Sequence, residues 1–308
     1  MAALYPGETL PRPAPRLAGK PAEMDSWSNR HIFHPLARRL ATGLAPTAVS
    51  PNMVSVGGGL LVAAAALLYV GLNWPLSVLL GFAAHASWHV LDGADGELAR
   101  LTGKASPAGE LVDGVCDYAG HVFLYILFAA VIDASLGGWA WAAAAAAGVS
   151  RILQSNHAET QRRIYLWRVY GVSWLQQAEA SKDELFEERG LFAGTFAPMA
   201  SGYIALAALV SPSSKEVDTI VERPSASPRA RARIRRLCRQ AGRRPLRLQT
   251  WLGANPRTFI LGASMAAGSP IYFFLAECTL LNLLLIWSVA EQKRCNRRLA
   301  ARLGAASS

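Results

Sequence analysis

The stretch "LDGADGELARLTGKASPAGELVDGVCDYAG", residues 91–120, carries four aspartates between apolar segments long enough to cross a bilayer. A carboxylate near the membrane core costs roughly 2.5–3.5 kcal/mol even by lenient insertion scales. The chain of 308 residues is 52% hydrophobic and only 17% charged, and its charges are concentrated in a few stretches. This composition predicts an all-α membrane protein rather than a soluble domain. Ionisable residues at such a position generally mark a functional site.

The four aspartates are spaced so that two helices can bring them to one place. Asp92 and Asp95 are three residues apart and share a helix face, while Gly109, Asp113 and Asp117 follow at intervals of four and share another. The turn "TGKASP" at 102–107 lets the two helices lie side by side. The spacing therefore predicts one carboxylate-lined pocket at the membrane edge.

Such a pocket needs positive charge, because like charges held together otherwise take up protons. An all-oxygen ligand set suits Mg²⁺ or Mn²⁺, and two such ions can clamp a phosphoryl group. Gly96 and Gly109 leave room for close approach, and Arg100 offers a two-pronged donor for a phosphate. Helix-terminal carboxylates facing solvent would explain any one aspartate, but they explain the spaced set less well.

Working outward from this stretch, apolar and charged segments predict a six-transmembrane helical bundle with an N-terminal interfacial amphipathic helix and a cytoplasmic insertion. Ten arginines without an acidic residue lie at 223–247, and the positive-inside rule places them and the aspartates on the cytoplasmic side, at the inner membrane if the source is a bacterium. The expected segments are a disordered lead-in at 1–23, the amphipathic helix at 24–46, transmembrane helices 1–4 at 47–157, a cytoplasmic or interfacial insertion at 158–255, transmembrane helices 5–6 at 256–291 and a basic cytoplasmic tail at 292–308. The path of the apolar segment 191–210 stays open.

The full pattern is Asp92-x2-Asp95-Gly96-x2-Ala99-Arg100-x8-Gly109-x3-Asp113-x3-Asp117. It resembles the signature of the CDP-alcohol phosphotransferase family of integral membrane enzymes at every defining position. Upstream, "SPNMVS" at 50–55 resembles the family's Pro-Asn-x-x-Thr pattern at the start of the first span, with Ser55 in place of threonine. Ser106 stands where a small hydroxyl residue commonly precedes the glycine. Residues 158–255 show no such likeness.

The resemblance implies transfer of a phosphatidyl group from a CDP-alcohol, typically CDP-diacylglycerol, to an acceptor hydroxyl, with release of CMP. It implies that Asp92, Asp95 and Asp113 bind metal, and that Asp117 is the general base and also touches the second ion. By the same resemblance, the CDP and phosphate site is lined by Gly96, Ala99, Arg100, Ser106, Gly109 and Asn52. The expected partners are the CDP-activated donor, an unidentified acceptor alcohol and membrane lipids, with no nucleic acid. A homodimer is a possible assembly.

Three further residues are candidates for contact with the acceptor or for support of the site. His121 lies one turn beyond Asp117, where packing is the alternative role. Arg162 and Arg163 lie at the cytoplasmic mouth of the fourth span, where they either bind an anionic head group or anchor the helix at the interface. The arginine run at 228–249 favours anionic lipid over nucleic acid as its counterpart.

Several functions stay open from the sequence. The acceptor could be inositol phosphate, glycerol phosphate, serine, choline or another phospholipid, and a CDP-choline or CDP-ethanolamine donor with a diglyceride acceptor is a second possibility. A cation transporter with an aspartate-lined path is an alternative of another class, but it predicts acids spread over several helices. An inactive family member is disfavoured by the intact aspartates.

Overall fold

The computed structural model describes residues 21–172, 214–222 and 227–307, and all regular secondary structure in these ranges is helical. This confirms the predicted all-α class for the described residues. A 3₁₀ turn at Ala22–Met24 and a π-helical turn at Asn29–Phe33 come first. The α-helices that follow are α1 His34–Leu44, α2 Pro51–Gly71, α3 Leu76–Leu101, α4 Pro107–Leu136, α5 Trp139–Tyr170, α6 Lys215–Glu222, α7 Pro228–Thr250, α8 Ala254–Ala266, α9 Ile271–Cys278 and α10 Leu280–Ser307.

Helices α2, α4 and α7 all begin at a Ser-Pro pair. The hydroxyl oxygens of Ser50, Ser106 and Ser227 accept hydrogen bonds from the backbone N–H three residues ahead, at 3.3, 3.1 and 3.2 Å. Each serine satisfies a donor that the first helical turn leaves free, and the following proline has the φ that a helix requires. At the other end of α5, Gly171 adopts a φ of 75°, which ends the helix in the left-handed region that glycine tolerates. Local sequence signals thus determine these helix ends, including the start of α4 next to the aspartates.

Three helical segments among the described residues are long and apolar enough to cross a membrane. They are Pro51–Gly71, Ala108–Leu136 and Ile271–Gly304, the last joining α9 and α10. Large apolar side chains such as Leu60 and Leu67 lie exposed on the outer face of α2, where lipid would cover them. These features fit the predicted membrane protein.

Helix α2 packs against both α3 and α4 and crosses α4 very closely. A Cβ atom placed on Gly59 would lie 2.7 Å from the carbonyl oxygen of Cys116, and one placed on Gly120 would lie 2.7 Å from the carbonyl oxygen of Gly59. Because neither glycine carries a side chain, the two backbones touch directly, as in small-residue helix crossings of membrane proteins. The crossing fixes α4 at the level of Asp117.

A buried ion pair ties together α5, α8 and α9. The guanidinium of Arg257 donates from Nε to Oε1 of Glu277 at 3.0 Å and from Nη2 to Oε1 of Gln154 at 2.6 Å. Arg257 is 2% exposed and Glu277 is fully buried, so the two charges have only each other and the neighbouring polar groups to replace water. The pair therefore links three helices at a depth where an unpaired charge would be costly.

A second helical cluster is formed by the C-terminal parts of α5 and α10 together with α6 and α7. Arg168 of α5 is its central cation, because Nη2 donates to Asp218 of α6 at 2.6 Å and Nη1 donates to Asn296 of α10 at 2.9 Å. Apolar side chains surround this contact: Met24, Tyr165, Val169, Val217, Cys238, Leu246, Leu299, Ala300 and Leu303 are buried together. The cluster holds the basic helix α7 against the ends of two long helices.

Glu23 fastens the first turn of the described chain to this cluster. Its Oε1 accepts hydrogen bonds from the hydroxyls of Tyr170 at 2.6 Å and Tyr165 at 3.1 Å, and from Nε of Arg239 at 3.0 Å. Burial raises the pKa of Glu23, but the hydrogen bond from Tyr170 and the charge of Arg239 outweigh it and hold the pKa below its usual value. Glu23 is therefore a charged anchor at neutral pH.

The helix bounds give further detail on the segments expected from the sequence. Helix α5 runs on past residue 158, so the expected insertion begins inside a helix. Helix α10 continues to Ser307, and Leu299 and Leu303 are buried, so the stretch expected as a basic tail packs against its neighbours. The apolar segment 191–210 and most of the lead-in at 1–23 lie outside the described residues.

Candidate active site

The short connection between α3 and α4 brings three of the four aspartates together. One carboxylate oxygen each from Asp92, Asp113 and Asp117 lies within 4.8 Å of the other two. Asp92 is exposed, while Asp113 and Asp117 are half-buried. Because α3 runs into this region and α4 runs out of it, residues 92 and 117 come side by side although 25 positions separate them in the chain. The three oxygens therefore converge on one place where a cation could bind.

Asp95 lies next to this group and is the most deeply buried of the four, at 4% exposure. Its Oδ2 accepts a hydrogen bond of 2.6 Å from the hydroxyl of Ser55 on α2, and its Oδ1 accepts one from the backbone N–H of Gly96. Its carboxyl group also interacts with that of Asp113. Ser55, at the position where the family has threonine, therefore orients one carboxylate of the site.

A hydrogen bond that was not predicted from the sequence holds Asp117 in place. The indole Nε1–H of Trp88 on α3 donates to Oδ1 of Asp117 at 2.8 Å. His121, one turn further along α4, donates from Nδ1 to the backbone carbonyl oxygen of Asp117 at 2.7 Å, and it is 6% exposed. His121 thus supports the backbone of α4 at Asp117.

The N-terminus of α4 collects three of the predicted phosphate-site residues. A Cβ atom placed on Gly109 would lie 3.3 Å from Oγ of Ser106 and 3.6 Å from Oδ1 of Asn52. Asn52 belongs to the first turn of α2, so two helix N-termini meet here. Free N–H groups at helix N-termini favour anions, and the missing side chain of Gly109 leaves room for one.

Arg100 stands on the outer edge of the site with its side chain 60% exposed. Its Nη2 donates to Oε2 of Glu97 at 2.6 Å, which draws the guanidinium back along α3. A Cβ atom placed on Gly96 would lie 3.5 Å from Nη1 of Arg100, so the arginine lies over the glycine. Ala99, half-buried, adds no bulk beside it.

Arg162 and Arg163 are paired with an acid on their own helix. The Nε atoms of both side chains lie close to the carboxylate of Glu159, at 2.9 Å for Arg162 and 2.8 Å for Arg163. The single carboxylate of Glu159 therefore offsets one of the two positive charges within α5.

The donor chemistry of the site fits a hard divalent cation. Every candidate ligand atom is a carboxylate oxygen, and four carboxylates this close would repel one another without cations or protons between them. Carboxylate oxygens suit Mg²⁺ or Mn²⁺ better than softer metals, which prefer nitrogen or sulfur ligands. The residues present therefore fit the metal that the sequence pattern implied.

Trp88 and Arg151 lie beside the site but were not predicted to do so, although the sequence contains a signal for each. Trp88 precedes Asp92 by four residues, which places it on the same face of α3. Arg151 is the one charged residue in the apolar segment 137–157, and an arginine at that depth usually serves a site. In the structure its guanidinium lies 6.0 Å from the ring centre of Tyr125 and interacts electrostatically with Asp117.

The sequence matches a known protein-family model. The family model described as CDP-alcohol phosphatidyltransferase matches residues 48–210, which is more than half of the chain and includes all of α2, α3, α4 and α5. No curated protein matches the sequence. The matched residues include the whole aspartate pattern together with Ser55 and Trp88, whose side chains hold two of its members. The chain therefore belongs to the CDP-alcohol phosphatidyltransferase family, whose members are enzymes that transfer a substituted phosphoryl group from a CDP-alcohol.

Proposed function

We propose that this enzyme transfers a phosphatidyl group from CDP-diacylglycerol to the hydroxyl of a polar acceptor and releases CMP. The observation that carries the proposal is the convergence of Asp92, Asp113 and Asp117, with one oxygen of Asp117 already held by Trp88. In the reaction, the acceptor oxygen forms a bond to the phosphorus that bears the diacylglycerol, and the bond from that phosphorus to the CMP oxygen breaks. The electron pair of the broken bond leaves with CMP.

Asp117 is the residue we assign to the proton. Its carboxylate is half-buried and accepts from Trp88, so it is ordered before substrate arrives. A carboxylate in hydrogen-bond reach of the acceptor hydroxyl can take its proton as the new bond to phosphorus forms. Asp92, Asp95, Asp113 and Asp117 would hold two Mg²⁺ or Mn²⁺ ions, which supply charge stabilisation to the diphosphate when bound.

The donor would lie across the meeting point of α2, α3 and α4. Asn52, Ser106 and Gly109 surround the α4 N-terminus, where backbone N–H groups favour a phosphate. Arg100 is exposed and needs only to leave Glu97 to reach an anion. Gly96 has no side chain and Ala99 has only a methyl group on this face of α3, so the cytidine can approach the backbone.

We also propose that the membrane part has six spans, with the site on the cytoplasmic side. The spans are α2, α3, α4, α5, α8 and the segment from α9 into α10. This arrangement keeps the arginine-rich stretches 29–39, 223–247 and 293–302 on one side, as the positive-inside rule requires. Helix α8 is the shortest, with 13 residues that rise about 20 Å against a hydrocarbon core of about 30 Å. Its Arg257 is neutralised by Glu277, which lets it enter that core.

The experiment is a CMP-release assay on the purified enzyme with Mn²⁺, CDP-diacylglycerol and a panel of polar alcohols. CDP-choline and CDP-ethanolamine with diacylglycerol form a separate arm that identifies the other donor class. We expect one acceptor to give CMP, and Asp117→Asn to abolish its release. Asp133→Asn, at the far end of the same helix, is the matched control and should keep activity. Equal activity in Asp117→Asn and wild type would overturn the assignment.

Metal binding is tested without turnover. Mn²⁺ should raise the melting temperature of the wild type, and Asp92→Asn should remove most of this rise because it deletes one of the three converging oxygens. Asp133→Asn should keep the full rise. An undiminished rise in Asp92→Asn would refute the ligand assignment.

A further inference from the structure

The indole of Trp88 connects the interior of the helix bundle to Asp117. Its Nε1 lies 2.8 Å from Oδ1 of Asp117, and the side chain is 4% exposed. A hydrogen bond to a carboxylate is stronger than one to a neutral acceptor, and burial protects this bond from competing water. The bond also spans two helices, so it fixes the carboxylate relative to α3.

The indole itself is held on three sides. The ring of His121 meets it edge-on with ring centres 4.7 Å apart, and the ring of His89 lies 4.6 Å away. On the third side, a Cβ atom placed on Gly58 would lie 3.4 Å from Cδ1 and 3.8 Å from Nε1 of the indole, so α2 fits directly against the ring. Further along, His89 is fixed in turn by a 2.8 Å hydrogen bond to the hydroxyl of Thr258 on α8. Trp88 therefore has little freedom to turn away from Asp117.

We propose that Trp88 is a positioning residue for the transfer reaction, acting through Asp117. This inference rests on the proposed function, in which Asp117 takes the acceptor's proton. By holding Oδ1, the indole sets the plane of the carboxylate and presents the second oxygen, Oδ2, to the acceptor.

The chemistry of the donor supports this role over simple packing. An indole N–H donates but cannot accept, and it does not titrate in the range of a carboxylate. It therefore holds the same oxygen before and after Asp117 is protonated, and it cannot carry the proton away. In the proposed reaction, the proton is therefore left to the other oxygen.

The experiment separates the hydrogen bond from the volume of the ring. Trp88→Gln and Trp88→Leu both lose the aromatic ring and have similar size, but only glutamine keeps an N–H donor of comparable reach. Trp88→Phe keeps an aromatic ring and loses the donor. For each variant, kcat, KM for CDP-diacylglycerol, melting temperature and the Mn²⁺-induced rise in melting temperature are measured.

We expect Trp88→Phe and Trp88→Leu to lower kcat by about 10- to 100-fold, the effect of losing one hydrogen bond to a charged catalytic group, while KM changes by less than about threefold. Trp88→Gln should recover at least about tenfold in kcat over Trp88→Leu, although both melt at similarly reduced temperatures. Trp88→Gln should also keep a larger Mn²⁺-induced rise than Trp88→Leu, because Asp117 is better ordered in it. Trp88→Phe is not needed for the comparison if it fails to fold.

Two outcomes would overturn the inference while leaving the proposed function intact. One is a Trp88→Phe enzyme with wild-type kcat. The other is equal kcat in Trp88→Gln and Trp88→Leu, which would assign the residue to packing alone. If the wild type released no CMP from any donor, the proposed function would fail by itself, and the Mn²⁺ measurement on the Gln and Leu pair would still test whether the indole orders Asp117.

Discussion

The crossing of α2 and α4 predicts that Gly59→Ala disturbs the enzyme more than Gly57→Ala, two residues away on the same helix. The added Cβ at Gly59 would lie 2.7 Å from the carbonyl oxygen of Cys116, next to Asp117 in the chain. At Gly57 the nearest atom would be Cδ2 of Leu91 at 3.6 Å, an ordinary van der Waals contact. The two substitutions add the same methyl group to the same helix, so their difference isolates the clash.

The magnitude follows from the geometry. Ordinary Cβ contacts begin at 3.4 Å, so a Cβ at 2.7 Å forces the two backbones apart by about 0.7 Å. Overpacking of this kind costs about 1–3 kcal/mol. Alanine in place of glycine gains about 1 kcal/mol of helix propensity at both positions, and this gain cancels in the comparison. A shift approaching 1 Å beside the carboxylate that we propose as the general base should lower turnover by up to about 100-fold, so we expect a loss of about 10- to 100-fold in kcat.

The assay measures thermal unfolding in detergent and CMP release for both variants beside the wild type. We expect Gly57→Ala to match or slightly exceed the wild-type melting temperature and to keep its activity. Gly59→Ala should melt several degrees lower and turn over more slowly. If Gly59→Ala were as stable and as active as Gly57→Ala, the close crossing would not control the position of Asp117.

Three further predictions concern single contacts. Glu277→Gln should destabilise the enzyme by about 3–5 kcal/mol because it leaves buried Arg257 without its counter-charge, and adding Arg257→Met should restore part of the melting temperature. Ser55→Ala should weaken Mn²⁺ binding, read from the metal dependence of melting, by about 10-fold or more, while Ser55→Thr should keep it because its hydroxyl can still donate to Asp95. Glu23→Gln should have a lower melting temperature than the wild type at neutral pH. Because the folded-state pKa of Glu23 is lowered, this difference in melting temperature should disappear as the pH falls through that pKa. A difference that grew on acidification would contradict the anchoring role.

The sequence predicted much of the site because the information is local. Each of the four aspartates lies three or four residues from another aspartate of the pattern, and a five-residue connection between α3 and α4 leaves few ways to arrange the two helices. The Ser-Pro pair at 106–107 marks the start of α4 for the same reason. The convergence of the aspartates could therefore be anticipated without knowing how any distant helix packs.

Contacts between distant positions could not be read in the same way. The bond from Trp88 to Asp117 depends on the rotation of α3 about its axis, which is set by the glycines of α2. The pairing of Arg257 with Glu277 depends on how α8 and α9 meet, and an isolated arginine in an apolar segment does not name its partner. Helical periodicity fixes which residues share a face, but the partner of that face is decided by tertiary packing.

The grouping of the proposed metal ligands and their supports between Asn52 and His121 has a consequence for biogenesis. These residues lie on α2, α3 and α4, so the whole carboxylate group can form once the first three long helices have left the ribosome and inserted. Later helices add restraints from outside, such as the bond from Thr258 to His89. A nascent chain halted shortly after α4 would already contain all four aspartates that we propose as metal ligands, and metal bound at that stage would favour the correct docking of these helices before the remaining ones arrive.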